Sequence, residues 1–262
     1  MCGRYATTVD PALLAVELDA VDETGSAPPR PTERYNVAPT DPVLAVVARH
    51  DREHPDADPT RRIRRMRWGL VPPWTKAGED GAPVRSAPLF NARADTAPTK
   101  PAFRAAVRGK RALIPMDGWY EWTTEPTAAG KAVKVPHYLT PADGSRLFMA
   151  GLWSVWHDPA ARAGASVPLL SCTILTTDAV GELRSVHDRM PLILTPDHWD
   201  RWLDPDGEDP GDLLAGVSEA VAAGIEIRRV SDRVNSVRND GADLIAPAAP
   251  PGTAVGEQIS LL

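Results

Sequence analysis

The chain has 262 residues, a net charge of −6 and 43% apolar residues, with a pI near 5.5. This length and apolar content suffice for one large domain or two small ones, and they exclude a disordered chain. The acidic balance argues against a generally basic coat for nucleic acid, although a local basic groove stays open. The two cysteines, Cys2 and Cys172, exclude a disulfide framework and a zinc site built from thiolates.

The N-terminal stretch after Tyr5 has neither a cationic start nor an apolar core, so no secretory signal peptide is predicted. No run approaches the roughly 18 apolar residues that a membrane-spanning helix needs. We therefore expect a cytoplasmic protein in a reducing compartment, with no membrane partner. The histidines show no metal-ligand spacing, so neither a metal nor a cofactor is predicted.

Periodicity and capping signals predict many short strands with a few helices between them. Helices are predicted over residues 11–19, 100–109, 196–203 and 213–223, with a helical turn at 178–183. Strands are predicted over residues 42–48, 63–70, 111–115, 135–139, 147–156, 169–176, 191–194 and 225–230. The polar, Pro-rich segment 20–31 is predicted to be a loop. The pattern indicates one α+β domain over residues 1–246, followed by a flexible tail over 247–262.

A cysteine directly after the initiator methionine becomes a 1,2-aminothiol when Met1 is removed. Its α-amine has a reference pKa of about 7.7 to 8.0 and its thiol one of about 8.5, so part of each is nucleophilic near neutrality. An aldehyde can condense with the amine to an imine, after which the thiol closes a five-membered thiazolidine intramolecularly. Taken alone, Cys2 is equally compatible with an ordinary second residue of a cytosolic chain.

Four separated segments combine unusual residues with local rigidity: CGR at 2–4, NAR at 91–93, GWYEW at 118–122 and VHDRMP at 186–191. Further segments accompany them: RYNVAPT at 34–40, WGLVP at 68–72, AGLW at 150–153, TILTT at 173–177 and VN at 234–235. In this order they resemble the SRAP family, the SOS response-associated peptidases that crosslink to abasic sites in DNA. The resemblance runs from Cys2 to about Asn235.

The resemblance implies that Cys2 bonds to the ring-opened sugar aldehyde of an abasic site in single-stranded DNA. It also implies that Asn91, Glu121 and His187 are the polar catalytic residues, and that the fold is a β-rich, barrel-like core of mostly antiparallel strands with flanking helices. Removal of Met1 by the protein itself, and a peptidase activity, are implied less directly. A thiazolidine would remove the imine that promotes loss of the 3′ phosphate. The crosslink should therefore shield the strand from cleavage, with residual lyase activity when the thiol is lost.

The residue types fit this chemistry independently of the family. Glu121, between two tryptophans, could have a raised pKa and protonate the ring oxygen of the closed sugar. His187 could shuttle protons near neutral pH, and Asn91 offers both a donor and an acceptor. The residues alone leave other interpretations open: an exposed strand carboxylate, a structural histidine bonded to Asp188, and a turn asparagine.

Binding of single-stranded DNA needs cations for phosphates and flat groups for bases. The predicted DNA-contact residues are Arg4, Pro39, Trp68, Arg93, Trp122 and Arg189. The basic run at 61–67 is interpreted as a solvated face and kept out of the site. The predicted partner is single-stranded DNA containing abasic sites, bound by a monomer that becomes nucleoid-associated on DNA.

Two other classes of function remain open at this stage. N-terminal-nucleophile glutamine amidohydrolases also begin with Met-Cys-Gly, and their free amine acts as the base for the thiol. This chain has Arg4 where an aliphatic residue is common in that class, and it has no synthase domain. The third interpretation is a non-catalytic module for single-stranded DNA, in which Cys2 is incidental.

Overall fold

Two β-sheets form the framework of the protein. The computed structural model describes residues 2–25, 33–51, 53–84, 87–127, 129–159, 167–207 and 209–248. The strands of the first sheet are β1 (Arg4–Thr7), β3 (Arg34–Val37), β8 (Gly118–Pro126), β9 (Ala132–Pro141) and β13 (Ile225–Arg229). Those of the second are β2 (Ala20–Asp22), β4 (Pro42–Arg49), β5 (Thr60–Trp68), β6 (Asn91–Arg93), β7 (Arg111–Met116), β10 (Leu147–Trp156), β11 (Leu169–Asp178) and β12 (Arg189–Pro191).

The strands pair mostly antiparallel. The five-stranded sheet has the order β13-β9-β8-β1-β3, and the eight-stranded sheet runs β12-β11-β10-β7-β4-β5-β2, with β6 paired to β11. Parallel pairs join β2 to β5, β6 to β11 and β5 to β11. The predicted α+β domain with a strand-rich, mostly antiparallel core and flanking helices is confirmed.

Aromatic residues fill the core next to the N-terminal strand. Tyr5, Trp68 and Trp119 are each at most 1% exposed, and the Tyr5 and Trp68 rings meet edge to face with centroids 5.2 Å apart. The Trp68 indole N–H donates to the carbonyl of Phe90 over 2.8 Å, which satisfies its one polar atom inside the core. Because Phe90 precedes Asn91, this core bond also fixes the start of β6.

The strand β8 runs close beside its neighbour β9. A Cβ atom added at Gly118 would lie 2.4 Å from the carbonyl oxygen of Leu139 and 2.6 Å from the Tyr138 ring. Only glycine permits this approach, since real Cβ contacts do not fall below about 3.0 Å. The glycine that opens the GWYEW segment therefore lets β8 pack tightly and sets the position of Glu121 three residues later.

The helices largely follow the sequence-based predictions. They are α1 (Pro11–Glu17), α2 (Arg104–Gly109), α3 (Trp199–Leu203) and α4 (Glu219–Ala223). The Asp10 carboxylate caps α1 by accepting from the amides of Ala12 and Leu13, with Pro11 at the first helical position. Single-turn 3₁₀ helices at Gly181–Ser185, Pro196–His198, Gly211–Leu214, Asp232–Asn235 and Ala242–Ile245 complete the helical segments.

Three sequence-based predictions were wrong. The strand expected over 191–194 lies earlier, at Arg189–Pro191. The single helix expected over 213–223 is a 3₁₀ turn followed by α4, because Gly216 adopts a φ of 128° that no helix accommodates. Part of the loop expected over 20–31 is the strand β2, which pairs parallel with β5. Its backbone hydrogen bonds to β5 outweigh the polar composition that favoured a loop.

The predicted tail lies mainly beyond the described residues, which end at Ala248. Pro247 forms an antiparallel bridge with Val230, and the Ala248 amide donates to the Arg229 carbonyl over 2.9 Å. The tail beyond these two residues stays a prediction. In the described part of the chain, no helix is both long and apolar enough to cross a bilayer.

Candidate active site

Cys2 lies two residues before the start of β1 and is completely buried. The strand β1 is hydrogen-bonded between β3 and β8, with Arg4 opposite Tyr120 and Tyr5 opposite Trp119. This pairing brings Cys2 towards the segment of β8 that carries Glu121. Burial raises the pKa of the Cys2 thiol well above its ordinary value, and the negative charge of Glu121 raises it further. The thiol is therefore protonated at neutral pH.

Asn91 holds the backbone of Cys2. It opens β6, which pairs parallel with β11 through Ile174. Its side-chain amide donates to the carbonyl oxygen of Cys2 over 2.7 Å. Its side-chain oxygen is buried and accepts no hydrogen bond from the part of the chain that the structure describes. An acceptor in this position suits an amine held beside it.

Glu121 is a buried carboxyl group on β8, only 2% exposed and opposite His137 of β9. Burial raises its pKa from 4.5 to about 7, and the negative charge of Asp188 adds to this shift. A carboxyl group with this pKa is partly protonated at neutral pH. It can therefore both donate and accept a proton near Cys2.

His187 follows the 3₁₀ turn Gly181–Ser185 and precedes β12. Its Nδ1 accepts from the Arg189 amide over 2.9 Å and lies 2.7 Å from a carboxylate oxygen of Asp188. The Arg189 amide favours the tautomer with its proton on Nε2, whereas Asp188 favours a proton on Nδ1. Partial burial lowers the pKa of His187, so the neutral ring predominates near pH 7.

The four predicted catalytic residues come from four distant segments and converge here. Asn91 bonds Cys2 directly, Glu121 acts electrostatically on the Cys2 thiol, and Asp188, next to His187, acts on Glu121. The arrangement combines an amine and thiol on one residue, an amide that positions them, and two groups that titrate near neutrality. It is suited to condensation chemistry at a carbonyl carbon.

Three of the six predicted DNA-contact residues are buried in the core or hydrogen-bonded to other parts of the protein. Trp68 is a core residue, and Arg189 is 8% exposed, donating to Asp178 and to the Thr176 carbonyl. Arg4 is half-buried, where its guanidinium donates to the Asn36 side chain over 2.8 Å and to a backbone carbonyl over 2.9 Å. In this conformation Trp68 offers no face to a base. Arg4 and Arg189 could reach a phosphate only by giving up these bonds.

The other three predicted contact residues retain surface. The Arg93 side chain is 55% exposed and pairs with Asp95 over 2.7 Å. Trp122 is partly exposed, with its indole N–H donating to Asn235 over 2.7 Å, and Pro39 is also partly exposed. Exposed ion pairs of this kind are weak, so Arg93 can exchange Asp95 for a phosphate at little cost.

Comparison with known proteins places the chain in a family. Residues 1–237 match the family described as SOS response associated peptidase (SRAP). The chain belongs to the SRAP family. Over 247 residues it is 32% identical to the abasic site processing protein YoaM of Bacillus subtilis, covering 94% of this chain and 97% of that protein.

Other SRAP relatives extend beyond the bacilli. The abasic site processing protein YedK of Escherichia coli is 33% identical over 251 residues, covering 94% of this chain and all of that protein. The abasic site processing protein HMCES of Gallus gallus is 31% identical over 275 residues, covering 94% and 78% of the two chains. A crystal structure from Bacteroides thetaiotaomicron superposes with a TM-score of 0.66 at 22% identity, covering 95% of this chain and 100% of that one, and it shows the fold alone.

Trp74 of this SRAP chain was not among the predicted DNA-contact residues. Trp74 follows Pro72 and Pro73 in a turn and is 60% exposed, which is unusual for so large an apolar side chain. Thr40, Pro72 and Thr75 line one cleft of about 500 Å³. The signal was present in the sequence, since an aromatic residue after two prolines at a turn is presented outward more readily than one inside a strand.

Across the described ranges, no group of three or more histidine, cysteine, aspartate or glutamate side chains is arranged to hold a metal ion.

Proposed function

We propose that this chain recognises abasic sites in single-stranded DNA and captures them covalently through Cys2 after Met1 has been removed. Its relatives YoaM, YedK and HMCES are abasic site processing proteins, which supports abasic-site processing by this chain. The observation that carries the finer proposal is the hydrogen bond from Asn91 to the Cys2 carbonyl, which holds the aminothiol residue beside a buried carboxyl group with a pKa of about 7.

The reaction begins with the amine. Because burial keeps the Cys2 thiol protonated, the α-amine is the better nucleophile near neutral pH. Protonated Glu121 gives its proton to the ring oxygen of the closed sugar while neutral His187 takes the proton of the C1 hydroxyl group, which frees the aldehyde. The amine adds to the aldehyde carbon, and loss of one water molecule leaves an imine. The free oxygen of Asn91 accepts a hydrogen bond from the amine during this step.

Ring closure follows on the same carbon. The thiol adds across the carbon–nitrogen double bond, so that a carbon–sulfur bond forms and the nitrogen becomes a secondary amine. Ionised Glu121 accepts the thiol proton and His187 returns a proton to the nitrogen, so the sum is loss of one water molecule. The thiazolidine contains no imine, and the strand is protected from loss of its 3′ phosphate.

The proposed mechanism also accounts for a lyase and a peptidase activity. Residual lyase activity would belong to the imine formed without a thiol. Peptidase activity would be the removal of Met1 by the protein's own site. We place the reaction in the cytoplasm, on nucleoid DNA during the SOS response, and assign it to a monomer.

A denaturing gel tests the proposal. Mature protein is mixed with single-stranded DNA containing one abasic site, alongside Cys2→Ala and a form that retains Met1. Only the mature wild type should give a heat-stable shifted band, with a mass equal to the sum of protein and DNA less one water. Cys2→Ala should cleave the DNA or trap it only transiently.

The alternatives predict different results. A heat-stable adduct with Cys2→Ala would contradict the thiazolidine. Equal DNA binding by both proteins without any covalent product would favour a binding module, and hydrolysis of glutamine would favour an amidohydrolase.

A further inference from the structure

One segment departs from the acidic character of the chain. Acidic residues outnumber basic ones by 35 to 29 overall, yet residues 96–116 contain five cations and no acidic residue. The cations are Lys100, Arg104, Arg108, Lys110 and Arg111. Arg111 is buried and donates to backbone carbonyls, so its role is structural. The remaining four are available at or near the surface.

Arg104 and Arg108 share one face of α2, and Lys100 lies in the turn that leads into this helix. Lys100, Arg104 and Arg108 are spaced four residues apart, and the Arg104 amide donates to the Lys100 carbonyl over 2.9 Å, so Lys100 lies one turn before Arg104. All three are exposed, whereas Phe103 and Val107 are buried against the core. Four residues advance a helix by about 6 Å, so the charges are separated by steps comparable to those between phosphates of an extended strand.

Lys100, Arg104 and Arg108 are here called the basic stripe. Among the described residues, no aspartate or glutamate forms an ion pair with them. Within the described ranges, no carboxylate lies within 4.0 Å of Lys100, Arg104 or Arg108, although exposed arginines elsewhere, such as Arg201 and Arg233, do pair with carboxylates. Like charges four residues apart destabilise a helix slightly. A stripe maintained without counter-charges on an acidic protein is therefore better explained by an external anion than by solubility.

The basic stripe is joined to the strand of Asn91 and Arg93 by two consecutive turns. The Ala97 amide donates to the Arg93 carbonyl over 2.8 Å, and the Lys100 amide donates to the Thr96 carbonyl over 3.0 Å. Successive turns thus lead from Arg93 to the stripe. Asn91, two residues before Arg93, holds the Cys2 carbonyl. Lys100 is the first cation after Arg93 along the chain.

We propose that the basic stripe binds the phosphates of the DNA strand that flanks the lesion, over about three consecutive nucleotides. The proposal rests on the proposed function, because it extends the path of the same strand away from Cys2. The stripe contacts phosphates only, so it adds affinity without sequence preference. It makes binding depend on the length of DNA on one side of the lesion.

A charge-reversal pair tests the stripe. Arg104→Glu with Arg108→Glu takes the net charge from −6 to −10, because each of the two changes subtracts 2. Lys131→Glu with Lys134→Glu changes the charge equally at exposed positions of the hairpin between β8 and β9, and serves as the matched control. Arg104→Gln with Arg108→Gln removes the charges without introducing repulsion. Thermal unfolding confirms that all three variants are folded.

Binding of lesion-free single-stranded DNA of about 20 nucleotides is measured by fluorescence anisotropy across a salt series. The glutamine pair should lower the slope of log affinity against log salt by about 1.4, since each phosphate contact on a single strand contributes about 0.7. Affinity at low salt should fall roughly tenfold, and further for the glutamate pair. The control pair should keep the slope of the wild type.

Crosslinking separates this inference from the proposed function. On a short abasic oligonucleotide without flanks, the stripe variants should react as fast as the wild type, while on long DNA at low concentration they should be slower. A wild type that binds lesion-free DNA with stripe-dependent slope but never crosslinks would overturn the proposed function and leave the stripe intact. An unchanged salt slope in both stripe variants, or an equal loss of slope in the control pair, would contradict the proposal that the stripe binds phosphates.

Discussion

The side-chain amide of Asn91 donates to the backbone carbonyl of Cys2 over 2.7 Å. This bond crosses between the two sheets, because Asn91 opens β6 of the eight-stranded sheet and Cys2 precedes β1 of the five-stranded one. A residue next to the chain terminus would otherwise fray and sample many conformations. The amide instead fixes the backbone of the reactive residue, and pre-positioning of this kind lowers the entropic cost of the condensation.

Replacing Asn91 should therefore slow capture of the lesion more than it reduces stability. Asn91→Ala removes a hydrogen bond of about 1 kcal/mol, so we expect the single-turnover crosslinking rate to fall about fivefold to tenfold. Asn91→Asp should be slower still, because a carboxylate beside the Cys2 carbonyl repels it. The rate is measured at saturating DNA, with Asn235→Ala as a control that removes an amide bonded to Trp122 outside the catalytic group. Equal rates for wild type and Asn91→Ala would remove Asn91 from the mechanism.

Glu121 should make the protein less stable as the pH rises. Its pKa is about 7 in the folded protein and 4.5 as the reference for the unfolded chain, so only the folded state holds the proton between these values. Stability from the neutral carboxyl group is complete below pH 4.5 and is lost as the pH rises to about 7. The shift in pKa corresponds to about 3 kcal/mol in the free energy of unfolding. Glu121→Gln should not lose this stability over the same pH range, because the amide does not titrate.

Chemical denaturation at several pH values measures this difference. Other groups titrate in the same window, so the informative quantity is the free energy of unfolding of wild type minus that of Glu121→Gln. Glu125→Gln on the same strand provides the matched control, because Glu125 is only partly buried and pairs with Arg229 near the surface. A difference that stays constant from pH 4.5 to 7.5 would show that Glu121 is ionised throughout.

Replacement of Arg93 and replacement of Arg189 should have different effects on DNA binding and on stability. Arg93 is exposed and paired only with Asp95, so Arg93→Gln should lower the salt slope by about 0.7 with little change in stability. Arg189 is buried and bonded to Asp178 and Thr176, so Arg189→Gln should cost about 1–3 kcal/mol of stability. Salt-dependent anisotropy and thermal unfolding of both variants measure this. A lowered slope for Arg189→Gln at unchanged stability would mean that Arg189 leaves its partners to bind phosphate.

The sequence predicted the strand-rich fold because β-branched and aromatic runs mark most of the strands in this chain, such as Pro42–Arg49 and Leu147–Trp156. It could not predict where a glycine would interrupt a helical pattern. Gly216 is compatible with either outcome until its φ of 128° is known. The short strand β2 was missed for a related reason, since a three-residue strand carries too little periodicity to be recognised.

The candidate site shows the same division between local and non-local information. The chemical types of Cys2, Glu121 and His187 could be read from the sequence, but their proximity depends on strand pairings between distant segments. The burial that raises the pKa of Glu121 is also a property of the assembled core. Aromatic residues are the hardest to assign, because Trp68 and Trp74 stand in one segment and have opposite environments.

These two tryptophans should therefore respond oppositely to replacement. Trp68 is completely buried and bonded to Phe90, so Trp68→Ala should lose about 3–5 kcal/mol of stability. Trp74 is 60% exposed, so Trp74→Ala should leave stability nearly unchanged. If Trp74 stacks on a base, its removal should weaken binding of single-stranded DNA by about 1–3 kcal/mol.

Denaturant unfolding and anisotropy on both variants decide between the two roles. Trp74→Phe should recover most of the binding, because a smaller aromatic face still stacks, whereas Trp74→Leu should not. A Trp74→Ala variant that binds as tightly as the wild type would exclude stacking. If Trp68→Ala instead stayed fully stable and lost DNA binding, Trp68 would have to emerge from the core to reach the strand.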